Sequence, residues 1–303
     1  MIDFIPNENI DFKKWDKCIN RAFNGNIFAY SWYLNIVSKK WNALVENDYE
    51  RVMPLPYSRF AGNDIVIQPK LAGQLGIFSI PTLNEYNVVG FINSIPPDFR
   101  YINLKLNKHN QIQEPYKKEG NKINLDIDLI KPYEKLRELY SDSFKVLLET
   151  AYHMDFKVIT KIPIDSIARF EQKKSLFHTY FHPEELITLQ LLIAASINNK
   201  MGQICRLYDN NNNLTALAFF VWSHQKASMA FCLFNDRKLQ LPAFFFLIDD
   251  FIRNNSEKNL ILHFEINSNS KLIPAFEKIG AKRSESFFLY RNQLPWYLKP
   301  FVT

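Results

Sequence analysis

The chain has 303 residues, 47% hydrophobic and 22% charged, with a net charge of +6 and an isoelectric point near 9.0. That length exceeds the usual single domain and predicts two, while the composition excludes a disordered or fibrous chain. The longest apolar stretches, such as Leu214–Trp222, are too short to span a membrane.

Charge is unevenly divided. Residues 1–128 hold 15 Lys/Arg against 14 Asp/Glu, and residues 129–303 hold 22 against 17. The second half is therefore the better place for an anionic ligand, but the excess is too mild to argue for a nucleic-acid groove. Cys18, Cys205 and Cys232 share no motif spacing and lie in apolar or amphipathic segments, so buried free thiols are expected. The opening MIDFIPNENIDFKKW lacks the basic-then-apolar order of a signal peptide, and a soluble cytoplasmic protein is the expectation.

In chain order, residues 1–6 predict a strand and Asp11 caps a helix that runs toward Gly25. FAYSWYLNIVSKKW predicts a second helix with Ser31 as N-cap. NALVENDYERVMPLPY alternates like a hairpin with its tip at Glu46–Asp48, and DIVIQP is another strand. After less clear strands around Gln74–Ser79, TLNEYNVVGFINSI predicts a helix; YINLKLN and KINLDI then predict strands that pair. A boundary near Asp128–Pro132 gives domains 1–128 and 129–303.

The second half opens with one long helix, PYEKLRELYSDSFKVLLETAYHM, with Pro132 in its first turn. The strand FKVITKI follows, then a helix capped by Asp165 and the amphipathic HPEELITLQLLIAASINNK. GQICRLYD, LTALAFFVWS and KASMAFCLF form a three-stranded meander. LPAFFFLIDDFIRNN predicts a helix, LILHFEI a strand, KLIPAFEKIG a helix and SFFLYRN a last strand. Asp249 and Asp250, in mid-helix, are expected to face solvent.

The second-half order, with NSNSKLIPAFEKIGA in its last strand–helix–strand unit, resembles the GNAT acyltransferase fold. Ala275-Phe276-Glu277-Lys278-Ile279-Gly280-Ala281 matches most positions of the family's helix signature. Two such halves further resemble the FemAB-like group, with NIFAYSWYLNIV similar to its first-domain helix. The resemblance implies an α/β fold (α+β in segregation) of two tandem GNAT-like domains, each a mixed, mostly antiparallel sheet flanked by helices.

It also implies a donor site. The family's glycine-rich loop cradles the pyrophosphate of acyl-CoA at a helix N-terminus. Arg237-Lys238-Leu239-Gln240-Leu241-Pro242 stands there instead, with no glycine between Gly202 and Gly280. Pro242 supplies no N–H, and Gln240 would strain at positive φ. Acyl-CoA is thus disfavoured as cofactor, although Arg237 and Lys238 keep positive charge. Phe276 stands where many relatives carry a proton-donating tyrosine; Tyr290 or a water would have to fill that role. The FemAB-like relatives draw on aminoacyl-tRNA and acylate an amine of a cell-wall precursor, which needs no CoA loop.

Candidate site residues follow. Glu265 ends an apolar strand and is a base or orienter for an attacking amine, with Asn267 beginning the loop; the structural alternative is a solvated carboxylate and a helix-capping Asn267, Ser268 and Ser270. Phe231, Cys232, Leu233 and Phe234 would offer backbone groups to the donor, with Arg237 and Lys238 beside them. Gln68, Lys70 and Gln74, around Gly73 and Gly76, are candidates for holding the acceptor, or glutamines that satisfy a loop's own backbone. His178 and His182 stand four apart but lack a third ligand, so no metal is expected. His263 is a lesser candidate for the base. No Ser-His-Asp set, P-loop or Rossmann fingerprint occurs. The sequence predicts an acyl or aminoacyl transfer to an amine, or a GNAT-fold binding protein that has lost the donor loop.

Overall fold

The computed structural model describes residues 1–112, 115–160, 182–235 and 239–302. The chain divides into two compact units: residues 1–122 together with 285–303, and residues 123–284. Residues 285–303, and with them most of the last strand, belong to unit 1. Unit 1 carries 17 Lys/Arg against 13 Asp/Glu.

In unit 1, β1 (Ile2–Ile5), β2 (Trp41–Glu46) and β3 (Arg51–Phe60) form an antiparallel succession that continues to β4 (Asn63–Ile67). A two-residue strand β5 (Phe78–Ser79) pairs with β3. Next to β4 runs β6 (Phe99–Lys105), parallel to it, and on β6's other side lies the final strand β13 (Lys282–Asn292), antiparallel. Both edges of β6 are thus filled, so YINLKLN does not pair with KINLDI as its spacing suggests. KINLDI lies within β7 (Lys117–Asp128), which crosses the boundary between the units.

Helix α1 (Phe12–Arg21) is capped as expected: Asp11 accepts from the N–H groups of Lys13 and Lys14, both at 3.0 Å. Helix α2 (Ser31–Val37) is shorter than predicted. Ser31 is its first helical residue rather than its cap, and both its N–H and its hydroxyl donate to Asp16 at 2.7 Å. Burial raises the Asp16 carboxyl above its ordinary value, and those two hydrogen bonds oppose the shift. The aromatic group of this region is core: Trp15, Tyr33 and Trp41 are buried, with Trp15 Nε1 donating to Ala29 O (2.8 Å) and Tyr33 Oη to Leu71 O (2.8 Å). Helix α3 (Glu85–Asn93) opens on an Asn84/Asn87 capping box.

In unit 2 the predicted opening helix is broken into α4 (Tyr133–Glu138) and α5 (Asp142–Tyr152). Ser141 caps α5, accepting from Phe144 N, while its own N–H donates to Lys278 O at 2.8 Å. Pro132 precedes α4 as its N-cap instead of lying in its first turn. Strand β8 (Lys157–Ile159) pairs with β9 (Gly202–Tyr208), and the expected Asp165 helix lies outside the described residues.

After α6 (Pro183–Asn198) comes the meander of β9, β10 (Leu214–Ser223) and β11 (Lys226–Phe234). Its tight turn is His224-Gln225, both at positive φ, as a two-residue hairpin of this hand requires. Helix α7 (Gln240–Asn255), β12 (Ile261–Asn267) and α8 (Ile273–Glu277) complete the unit. Gly280 ends α8 at φ +80°, where a Cβ would stand 3.1 Å from Leu139 Cβ. The three cysteines are free and buried.

The core of unit 2 lies between one sheet face and α5, α7 and α8, and is rich in phenylalanine. Within it sits a group that periodicity does not reveal. Asp249, expected on the solvent face, is 1% exposed and accepts from three phenols: Tyr133 at 2.9 Å, Tyr140 at 3.0 Å and Tyr152 at 2.7 Å. Arg253, one turn on, adds an ion pair at 3.4 Å. A buried carboxylate persists only when so compensated. Burial, and after it the neighbouring Asp249, pushes the Tyr140 and Tyr152 phenols well above their usual range. The carboxylate thereby ties α4 and α5 to α7.

Replacing Asp249 with alanine orphans those hydroxyls, so urea unfolding is expected to show a loss of about 3 kcal/mol. Asp250→Ala, on the half-buried side of α7, is expected to cost under about 1 kcal/mol in the same measurement.

Candidate functional site

The geometry of unit 2 turns on β11. In its ladder with β10, Phe219 faces Phe231 but Phe220 faces Met229, which leaves Ala230 as an extra, bulged residue. One inserted residue reverses the alternation of side chains. Accordingly Ala227 faces the α7 core before the bulge, whereas Cys232 and Phe234 face it afterwards. Phe231 and Leu233 turn to the second face, where Phe231 packs against Phe219 with ring centroids 5.5 Å apart.

The other edge of β11 meets β12 in parallel, but the register covers only Lys226–Ser228 against Ile261–His263. Beyond that point β11 runs on to Phe234 and β12 to Asn267 without further pairing to each other. Two strands that separate in mid-sheet leave an opening lined by main-chain groups and by the side chains next to the fork.

Those side chains are polar on one face only. On β12, Leu262, Phe264 and Ile266 enter the core, so His263 and Glu265 share the second face. On β7, Ile123, Leu125 and Ile127 enter the core, so Asn124 and Asp126 share that second face too. Ser228 and Arg206 join them by the same alternation on β11 and β9. Arg206 is 1% exposed and His263 3%. At the fork itself, His263 Nδ1 meets Asp126 Oδ1 at 2.6 Å. A carboxylate on Nδ1 holds that nitrogen as the donor and leaves Nε2 as the basic one. Glu265, half-buried, lies one alternation further along the open part of β12.

The expected site residues fall into distinct places. Glu265 is at the opening. Asn267 is exposed at the end of β12, and its carbonyl accepts from Ser270 N at 2.9 Å; Ser270 Oγ in turn accepts from Leu272 N. Phe231, Cys232, Leu233 and Phe234 are all buried, so only their backbone can meet a ligand. Arg237 and Lys238 lie outside the described residues, as does His178. Gln240 is the first residue of α7 and not at positive φ, so the strain expected of it does not arise. Pro242, in the first turn of α7, does remove one of the N–H groups that a helix end offers to an anion. Phe276 is fully buried against Phe264, Phe244 and Phe245, with centroids at 4.7, 5.9 and 5.9 Å. It is a core side chain, which accounts for the missing hydroxyl.

The remaining candidates belong to unit 1. Tyr290 sits in a cluster with Ile65, Tyr101 and Leu294, its hydroxyl accepting from Asn292 Nδ2 at 3.4 Å. Gln68 is committed to backbone: its amide donates to Ala72 O (3.0 Å) and Gly73 O, and its oxygen accepts from Lys105 N (3.1 Å). Lys70 is exposed and Gln74 buried. The loop that follows rests on three buried asparagines the sequence reading passed over. Asn110 accepts from Ile77 N at 2.7 Å, Asn24 from Ser79 N at 3.0 Å, and Asn107 donates to Leu75 O at 3.3 Å. Gly76, at φ +100°, has room for no Cβ, which would meet Asn110 Oδ1 at 2.1 Å. Among the described residues no group of His, Cys, Asp or Glu could hold a metal ion. No helix among them is long and apolar enough to cross a membrane.

The whole architecture has solved counterparts. FemX superposes with a TM-score of 0.64 over 99% of both chains, at 9% identity. The fold is the FemAB-like, tandem GNAT fold. The L-PGS of Bacillus licheniformis matches with a TM-score of 0.56, 8% identity, and coverage of 86% of this chain and 87% of its own. A tandem GNAT protein from the clavulanic acid biosynthesis pathway matches at 0.55 and 10% identity, covering 97% and 99%. No family model matches the sequence, and no curated protein does. Among these counterparts the likeness is one of fold.

The His263–Asp126 contact predicts a single tautomer. Nitrogen-15 spectra of the histidine rings are expected to show His263 protonated at Nδ1 in the native chain and as a tautomer mixture in Asp126→Ala.

Proposed function

We propose that this FemAB-like, GNAT-fold chain is an N-acyltransferase that moves an acyl or aminoacyl group onto an amine acceptor. The observation that carries the proposal is the fork between β11 and β12, with Glu265, His263 and Asp126 on one face of it. A planar ester or thioester laid along the open stretch of β11 would meet main-chain amides able to polarise its carbonyl. The amine attacks that carbonyl directly; its nitrogen bonds to carbon, its proton passes to Glu265, and the donor's oxygen or sulfur leaves with the electron pair. His263, fixed by Asp126, holds the polar end of the fork in place. No covalent enzyme intermediate is required.

The donor follows from the neighbouring loop. Pro242 weakens the helix end that would receive a pyrophosphate, which favours aminoacyl-tRNA over acyl-CoA. The resemblance then implies an amine of a cell-envelope precursor, or another small amine, as acceptor. A second reading, a binding protein without catalysis, is favoured by one specific observation: Phe276 leaves the usual proton donor's position filled with hydrocarbon.

A panel of acyl-CoA and aminoacyl-tRNA donors with amine acceptors separates the two. Turnover is expected with an aminoacyl-tRNA, and Glu265→Gln is expected to lower kcat by about a hundredfold or more at little-changed KM. Full activity in that variant would remove Glu265 from the chemistry. No turnover on any donor would leave the binding protein as the better reading.

A further inference from the structure

The last described segment of unit 1 has two opposed faces. Leu294 is 3% exposed in the cluster with Ile65 and Tyr101, and Leu298 and Val302 pack against the same cluster. Tyr101 Oη donates to Val302 O, and Gln293 N donates to Arg100 O at 2.7 Å, so the segment is fastened at both ends. Between these anchors the side chains turn outward: Trp296 is 82% exposed, Phe301 74% and Tyr297 55%. Trp296 and Tyr297 stack edge-to-face at 5.9 Å. Pro295 and Pro300 hold φ at two of the positions between the anchors, so presenting the rings costs little chain entropy.

Three neighbouring aromatic rings held out to solvent on a docked backbone are not expected of a surface with no occupant. Their surroundings indicate which occupant. Lys299 stands among the rings, and Arg100, whose carbonyl accepts from Gln293 N, is exposed on β6; Arg291 is half-buried and turned inward, its guanidinium donating to Pro96 O and Phe99 O. The unit as a whole carries an excess of Lys/Arg. Trp296 and Tyr297 are exposed rings, each with an apolar body and a polar tip. Trp and Tyr beside Lys or Arg is the combination that settles at a lipid headgroup boundary, where the rings enter the acyl margin and the cations meet phosphate.

We propose that Trp296, Tyr297 and Phe301, with Lys299, form a docking face for an anionic phospholipid surface, by which the folded chain binds a bilayer peripherally. This stands apart from the acyl-transfer reading, since nothing in it depends on the fork. The rings enter one leaflet only to side-chain depth.

The test is co-sedimentation of the full chain with vesicles of equimolar phosphatidylcholine and phosphatidylglycerol, and with phosphatidylcholine alone. Binding is expected to the anionic vesicles and to weaken in high salt. Combined substitution of Trp296, Tyr297 and Phe301 by serine is expected to lower the bound fraction about tenfold or more, and Lys299→Glu to lower it less. All four side chains are exposed, so circular dichroism should show the fold unchanged. Fluorescence supplies a second readout. Of the five tryptophans, Trp15 and Trp41 are buried and Trp32 and Trp222 half-buried, so a blue shift on adding vesicles reports Trp296. Absence of binding, or equal binding by the triple variant, overturns the proposal. So does a dimer in sedimentation equilibrium that the triple variant abolishes, because the rings would then cover a second copy.

Discussion

Ala230 is one residue more than the β10–β11 ladder can accommodate, and the chemistry available to unit 2 depends on that excess. Before it, β11 presents Ala227 to the α7 core; after it, Cys232 and Phe234 take that place and Phe231 turns away. The neighbouring register with β12 stops at Ser228 and His263, just before the bulge. A bulge bends and twists its strand, and a twisted strand cannot stay parallel to a straight neighbour. Bulge and fork are therefore best understood as one feature: the residue that breaks the alternation also separates the strands. The sheet surrenders main-chain pairing there, and His263, Asp126 and Glu265 share one face beside the place.

The two faces of that sheet have opposite characters for a simple reason. The side toward α5, α7 and α8 is packed with phenylalanine rings, and Phe276 belongs to it as fully as Phe244. The exception is Asp249, a charge that survives burial because three phenols and Arg253 meet it. Its effect is to hold α7 in register with α4 and α5 by directed bonds, where hydrophobic packing alone is tolerant of sliding. The opposite face carries Arg206, His263, Asp126 and Glu265. Of these, His263, Asp126 and Glu265 belong to the strands at and beside the fork, while Arg206 lies on β9, two strands away. Ionisable groups held beside a broken ladder are costly to keep unless they serve a ligand or one another.

Unit 1 solves a different problem. Its loop from Gln68 to Ser79 has little regular structure, and its backbone groups are satisfied by amide side chains: Gln68 from one end, Asn24, Asn107 and Asn110 from the other. A glutamine that looked like a recognition residue is thus a fastening. The sequence offers little to distinguish these roles, since an amide that binds a ligand and one that binds a carbonyl are the same residue. NKHN, which supplies two of the asparagines, reads as a polar turn and nothing more.

Local pattern determined a good deal by itself: the hairpin, the meander, most helices, the buried free cysteines, and the glycine-terminated α8 that names the fold. These depend on residues close in sequence, where period, capping and turn chemistry act directly. Only the tertiary structure decided the rest. The helix expected from Pro132 breaks because Ser141 answers to Lys278, 137 residues away. Asp249 is buried because tyrosines from two other helices reach it, and His263 gains a role because Asp126, on a separate strand, stands at hydrogen-bond distance. The last strand completes unit 1 because β6, far upstream, has an open edge for it. In each case the deciding partner lies across a long stretch of chain, and a periodicity or a short motif carries no information about what will fold against it.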